Sequence, residues 1–206
     1  MTDGHGIRSW CSISQGRVML NGELLHQASA PDFREVMRST YKALGIDHAK
    51  FHKMDPLSKL AFLTAEVLLG EAKRAGNFSR ETALVFANRS SCIDSDRKHQ
   101  LSLDDPGNEW PSPAVFVYTL PNICLGEISI RHQLYTESCF FIAEEFDPAT
   151  MNRYADPLLQ SGIAEQVLCA WVEKNDDHYT SFAYLLDRAD PGTARDAILL
   201  KTQKEQ

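Results

Sequence analysis

The chain has 206 residues, of which 43% are hydrophobic and 24% charged, and it carries a net charge of −7 at pH 7. These are globular rather than disordered values, and the negative balance argues against non-specific nucleic-acid binding, which needs a basic face to release counterions. No run of about 18 apolar residues is present, so no membrane span is expected. The opening MTDGHGIRSW lacks a basic region followed by an apolar run, which suggests a cytoplasmic protein. Five widely spaced cysteines, Cys11, Cys92, Cys124, Cys139 and Cys169, read as reduced thiols rather than a disulfide framework. No Cys or His spacing suggests a metal site, and no cofactor is expected.

In chain order, Ile7 to Gln15 alternates as a strand, with Ile7, Ser9, Cys11 and Ile13 on one face. Arg17 to His26 reads as a hairpin or edge segment turning at Asn21-Gly22. Phe33, Val36, Met37, Tyr41 and Leu44 repeat at helical spacing after Asp32, with Gly45 as a stop. Asp55 is placed to cap a second helix that opens on Pro56, and its apolar residues cover most of the circumference, as in a helix buried on more than one side.

Glu81 to Asn88 is a continuous apolar run, the pattern of a central strand with both faces covered. Ile93 to Leu103 reads as a short helix and Asp104 to Pro113 as a loop. Pro113 to Leu134 reads mostly as helix, bent or restarted at Pro121, with Gly126 permitting close backbone approach. Ser138 to Glu144 is expected to be a buried strand. Asp147-Pro148 starts a helix to Gly162, which Pro157 is expected to end or kink. Gln166 to Val172 and Tyr179 to Leu186 read as an antiparallel hairpin across Asn175-Asp176-Asp177, the last strand at or near a sheet edge. Asp190 to Gln206 reads as a capped apolar stretch and a polar tail. Strands alternating with helices imply an α/β fold with helices on both faces of the sheet.

Three stretches carry a family resemblance: FHKMDPLSKLAFLTAEVLL, ALVFAN and PSPAVFVYTLPNICLGEISIRHQL. The first is similar to a segment in which an Arg/Lys-Met-Asp motif opens a long buried helix. The second resembles the strand that follows it, and the third a Pro-Asn…Gly…Ile-Ser-Ile helix. Together, over roughly residues 5 to 186, the chain resembles the N-terminal half of β-ketoacyl synthases of the thiolase-like superfamily. The resemblance implies a three-layer α/β/α half of a thiolase-like fold, with a mixed, mostly parallel five-stranded sheet and a single domain over residues 1–206. In that family a tight turn after the strand carries a nucleophilic cysteine at a helix N-terminus. Counting from Gly126 without gaps, the matching position here is about Glu145, and a carboxylate cannot accept an acyl group as a thiolate does. The nearest thiol is Cys139, within the strand, and the family's two catalytic histidines belong to a C-terminal half that lies beyond this chain.

The resemblance therefore implies a non-catalytic subunit, a partner or scaffold in acyl-carrier-protein-dependent fatty-acid, polyketide or aryl-polyene biosynthesis. Pro121, Asn122, Gly126, Ser129 and Asp55 would serve structure and interface. The implied partners are a second copy or a full-length β-ketoacyl synthase, with an acyl carrier protein as a further candidate. The alternative is a diverged condensing or acyl-binding enzyme that uses Glu145 or Cys139. Among residues read directly, Glu144-Glu145 is the most suggestive acid/base pair, although strand neighbours face opposite ways. Asn88-Arg89-Ser90-Ser91 sits where α/β sheets often hold ligands, and a solvated loop is the simpler reading. His132 reads as a helix-end polar residue, His52 as a loop residue, and Trp110 and Trp171 as packing residues.

Overall fold

The computed structural model describes residues 6–189 except 106, 108, 109 and 111, so the expected segment 190–206 and part of the 104–113 loop lie outside the described residues. The first strand, β1 (Ile7–Ser14), buries every second residue, and the Asn21-Gly22 turn joins β2 (Arg17–Leu20) to β3 (Glu23–Gln27). Both turn residues have positive φ, the geometry that a tight two-residue hairpin demands. Helix α1 (Phe33–Ala43) follows, with the Asp32 carboxylate accepting the Glu35 amide. After a 3-10 turn at Ala49–Lys53 comes α2 (Pro56–Arg74), nineteen residues long and buried around most of its girth.

Beyond α2 lie β4 (Thr82–Asn88), buried at every position, α3 (Ile93–Asp104), the short α4 (Pro113–Val117) and α5 (Ile123–His132). Pro121 falls in the break between α4 and α5. The chain continues through β5 (Ser138–Ile142), α6 (Pro148–Ser161), β6 (Gln166–Asn175) and β7 (His178–Asp187).

All seven strands form one sheet in the order β3-β2-β1-β7-β6-β4-β5. The α/β class stands as expected, but the sheet has seven strands rather than five and is not mostly parallel. Only β4 pairs parallel, with β5 and with β6; the other four pairings are antiparallel. The difference arises because the 17–27 hairpin extends the sheet, and because β1 pairs with the far side of β7. That same pairing places β7 at the centre of the sheet, not at an edge. The true edge on that side is β5, which is half-exposed rather than buried because it has a strand neighbour on one side only.

Helices cover both faces. One core joins α1, α2 and α5 to the sheet through residues such as Val36, Leu60, Phe62, Leu63, Phe86 and Leu168. The other joins α6 to the opposite face through Met151, Ala155, Leu159, Val85, Cys169 and Trp171. Helix α6 runs through Pro157 instead of ending there and stops at Gly162, whose φ of 74° suits the left-handed cap. Trp171 is a packing residue against Phe146, whereas Trp110 is 84% exposed. No helix among the described residues is long and apolar enough to cross a membrane.

Candidate functional site

The parallel strands β4, β5 and β6 end on the same side of the sheet, and a cleft of about 1040 Å3 opens beyond them. Its floor is apolar, formed by Phe146, Trp171 and Phe182, and its rim is polar, with Arg17, Arg89, Glu144 and Glu145. Strand β5 delivers the chain to this rim. The Ala143 amide bonds to the Asn88 carbonyl (2.9 Å), after which the backbone bends through Glu144 and Glu145 before α6 begins.

Both glutamates are exposed. The Glu144 side chain is 91% exposed and lies 3.6 Å from the Arg89 guanidinium, an ion pair in water that contributes little. Acid/base work by paired carboxylates depends on burial to make the two groups unlike, and neither residue has that burial. Two residues further on, Asp147 caps α6. Its carboxylate accepts from the Thr150 hydroxyl (2.5 Å) and the Ala149 amide (2.9 Å), bonds that lower its pKa.

Cys139 is not brought to the cleft. It lies on β5 beside Val85, packed toward the α6 core, and burial together with Glu137 raises its pKa to about 11. Such a thiol is protonated at neutral pH and is a poor nucleophile. None of the five cysteines lines the cleft, and Cys11, Cys92 and Cys124 are also pushed up by burial.

The turn after β4 is not a free ligand loop. The amides of Arg89 and Ser90 both donate to the Glu173 carboxylate, at 2.8 and 3.2 Å. The Asn88 side chain spans the turn, accepting from the Ser91 amide and donating to the Ser91 carbonyl. Glu173 thus fills the position that an anion would otherwise take. Sequence reasoning missed it; the only signal was an acidic residue at the end of an apolar strand.

The α5 segment is placed differently. Asn122 stands at the N-cap position without a side-chain capping bond, Pro121 is partly buried, and Ser129 is half-buried, its carbonyl accepting the Leu134 amide. Gly126 is exposed, and a Cβ built there would meet nothing within 4 Å. Among the described residues that position is open, so the close approach that Gly126 permits is not used within them. Ile130, Tyr135 and Ile142 expose 69%, 82% and 56% of their surface around α5 and the β5 edge.

Two further polar groups link the helices. The Asp55 carboxylate accepts from the amides of Leu57 and Ser58 and from the Ser95 hydroxyl, joining the start of α2 to α3; burial raises its pKa. His132 is the last residue of α5, the helix-end position expected of it, and it is buried against α2. Its ring faces Lys73 (2.9 Å) on one side and Glu66 (3.2 Å) on the other, and Glu66 also holds Arg131 (2.9 Å). Burial lowers the His132 pKa, although Glu66 opposes that shift. Burial also opposes the Glu66 charge, but the His132 and Arg131 contacts outweigh it and hold that carboxyl below its usual range. His52 flanks the Tyr41 and Phe51 rings. Among the described residues, no cluster of His, Cys, Asp or Glu could hold a metal ion.

No family model and no curated protein matches the sequence. Solved structures do match. A chain of the complex of a ketosynthase with its chain length factor from Xenorhabdus doucetiae is 16% identical with a TM-score of 0.62, over 89% of this chain and 79% of that one. The ishigamide ketosynthase/chain length factor gives 16% and 0.63, over 89% of this chain and 62% of the other. A type II polyketide synthase acyl-carrier protein in complex with its hexaketide-bound ketosynthase gives 14% and 0.58, over 89% and 63%. This chain therefore spans less than two thirds of the latter two. At such identities the likeness shows the fold: the chain has the thiolase-like fold of ketosynthases and chain length factors.

Proposed function

We propose that this chain is a non-catalytic ketosynthase-like subunit that pairs with a full-length ketosynthase in acyl-carrier-protein-dependent biosynthesis. The observation that carries the reading is the bend after β5. Two exposed glutamates stand where the family resemblance puts a nucleophilic cysteine, and no cysteine lines the cleft. Support comes from the structural neighbours, which include ketosynthases with chain length factors and a ketosynthase with an acyl-carrier protein. One neighbouring chain is 79% covered, so it is only modestly longer than this one.

The surface suits such pairing. Strand β5 bonds to β4 on one side and leaves its outer edge without a strand among the described residues. An unpaired edge is a template for another strand, and here exposed Ile130, Tyr135 and Ile142 flank it. Exposed Gly126 on α5 leaves room for a neighbouring backbone. Pro121, Asn122, Gly126 and Ser129 are read as framework and contact residues of that surface, and Asp55 as framework. A second copy of this chain is the other candidate occupant.

Two measurements test the reading. Co-expression with a full-length ketosynthase, followed by size-exclusion chromatography, should give a heteromer that Ile142→Lys disrupts. Incubation with a malonyl- or acyl-carrier protein, followed by intact-mass measurement, should give no adduct. A stable acyl adduct on Cys139 would show the chain to be an enzyme instead.

A further inference from the structure

A second cleft, of about 750 Å3, lies between α1, the 3-10 turn, the start of α2, α3 and α4, away from the β5 bend. Its wall is apolar, with Met37, Phe51 and Met54 buried and Val115 and Tyr118 half-buried. Around that wall stand Arg34, Lys42, Lys53, Lys59 and Lys98. None of these five has an ion pair among the described residues. In a chain of net charge −7, five cations around one concavity, none of them ion-paired among the described residues, are a local concentration of positive charge.

The carboxylates of the cleft are committed elsewhere. Asp55 caps α2 and takes the Ser95 hydroxyl, while Asp94 holds Lys174 (2.6 Å) and the Asp176 amide (2.9 Å). Arg38, also in the lining, is bound to Glu35 (2.6 Å). Lys59 is half-buried, with Arg34 and Lys98 as close like charges. Burial lowers its pKa, Asp55 offsets this in part, and the two neighbouring cations lower it further. Like charges held near one another in this way repel, and a bound anion relieves that repulsion. An apolar wall with a few convergent charged groups is the usual make-up of a small-molecule site, and the volume falls in the usual range.

We infer that this cleft binds a small organic phosphate with an apolar body, the phosphate among Arg34, Lys59 and Lys98 and the body against Met37, Met54 and Val115. A dianionic phosphate neutralises three converging cations better than a single carboxylate does, and the wall rewards an alkyl or aryl group that inorganic phosphate lacks. The inference is independent of the partner-subunit reading, because it uses none of the residues of the β5 edge.

Isothermal titration of the purified chain with octyl phosphate tests it, with inorganic phosphate and octanol as controls. Octyl phosphate should bind at least about tenfold more tightly than either control, since each 1.4 kcal/mol is tenfold in affinity. Lys59→Gln and the exposed Lys98→Gln should each weaken octyl phosphate about tenfold, the low end for losing one partner of a close charge pair, as suits solvent-accessible groups. Val115→Ser should weaken octyl phosphate but leave inorganic phosphate unchanged. Thermal midpoints near that of the unaltered chain would show that the variants fold. Equal binding of inorganic and octyl phosphate, or octyl phosphate binding insensitive to both lysine changes, would overturn the inference. So would binding only of an acidic carrier protein, lost in both lysine variants, which would assign the cleft to a protein partner.

Discussion

At the scale of single residues, burial decides which groups are chemically available. Cys139 sits on a strand that feeds the cleft, yet its thiol is pushed up to about 11. Iodoacetamide at pH 7 should therefore modify it much more slowly than a free thiol with the ordinary value of about 8.5; labelling at the free-thiol rate, measured by mass spectrometry, would contradict this. Glu144 and Glu145 are exposed, so Glu145→Gln should change unfolding free energy by less than about 0.5 kcal/mol, as surface changes do. Asp55 carries more, since it closes two amides and the Ser95 hydroxyl. Asp55→Ala should cost about 1–2 kcal/mol in denaturant unfolding, the range for a lost N-cap.

The buried His132 group gives a pH dependence. With its pKa lowered in the folded chain, His132 takes up a proton more readily when unfolded. Stability should therefore fall as pH drops below the ordinary histidine value of 6.5, and the loss continues until the folded value is passed. Glu66, also lowered, acts in the same direction at more acid pH. Its contribution is present above the ordinary 4.5 and is lost as pH falls through its folded value. The thermal midpoint should drop between pH 7 and pH 5, and His132→Gln should flatten that drop; an unchanged slope would show that other groups carry it.

At the scale of elements, caps and periodicity were legible and positions in the sheet were not. Asp32, Asp55-Pro56 and Asp147-Pro148 mark three helix starts, because a side chain that accepts first-turn amides acts locally. Strand β5 shows the opposite case. SCFFI is apolar enough to read as buried, but it forms an edge, and a strand's apolar content does not say how many neighbours it has. Pro157 shows the limit of a local breaker rule, since α6 packs its Met151, Ala155 and Leu159 face on the sheet and keeps its course. Replacing that proline restores one helix amide, and because an interior proline costs about 3 kcal/mol, Pro157→Ala should raise the thermal midpoint measurably.

At the scale of the whole molecule, two apolar cores flank one sheet, one cleft opens beyond the ends of its parallel strands, and another lies among the helices. One cleft sits where the family resemblance places chemistry, and its rim holds exposed carboxylates and no thiol. The other is cationic and apolar-walled. A partner that binds only the folded chain through the β5 edge should raise its thermal midpoint, by about 2.7 kcal/mol of stabilisation at a hundredfold excess over Kd. A full-length ketosynthase that leaves the midpoint unchanged at such concentrations would exclude that surface as its site.

The sequence by itself determined the class of fold, the helix caps, the strand β4 with both faces covered and the glutamates after β5. All of these follow from interactions within a few residues or from the period of apolar side chains. Tertiary structure alone decided the strand order, the central place of β7, the edge position of β5 and the open surroundings of Gly126. It also decided that Glu173 occupies the turn after β4, that His132 is buried, and that five cations from α1, α2, α3 and the segments between them meet at one cleft. These depend on pairings between residues far apart in the chain, and local sequence carries no record of which strand lies beside which or whose charge a fold will bring near.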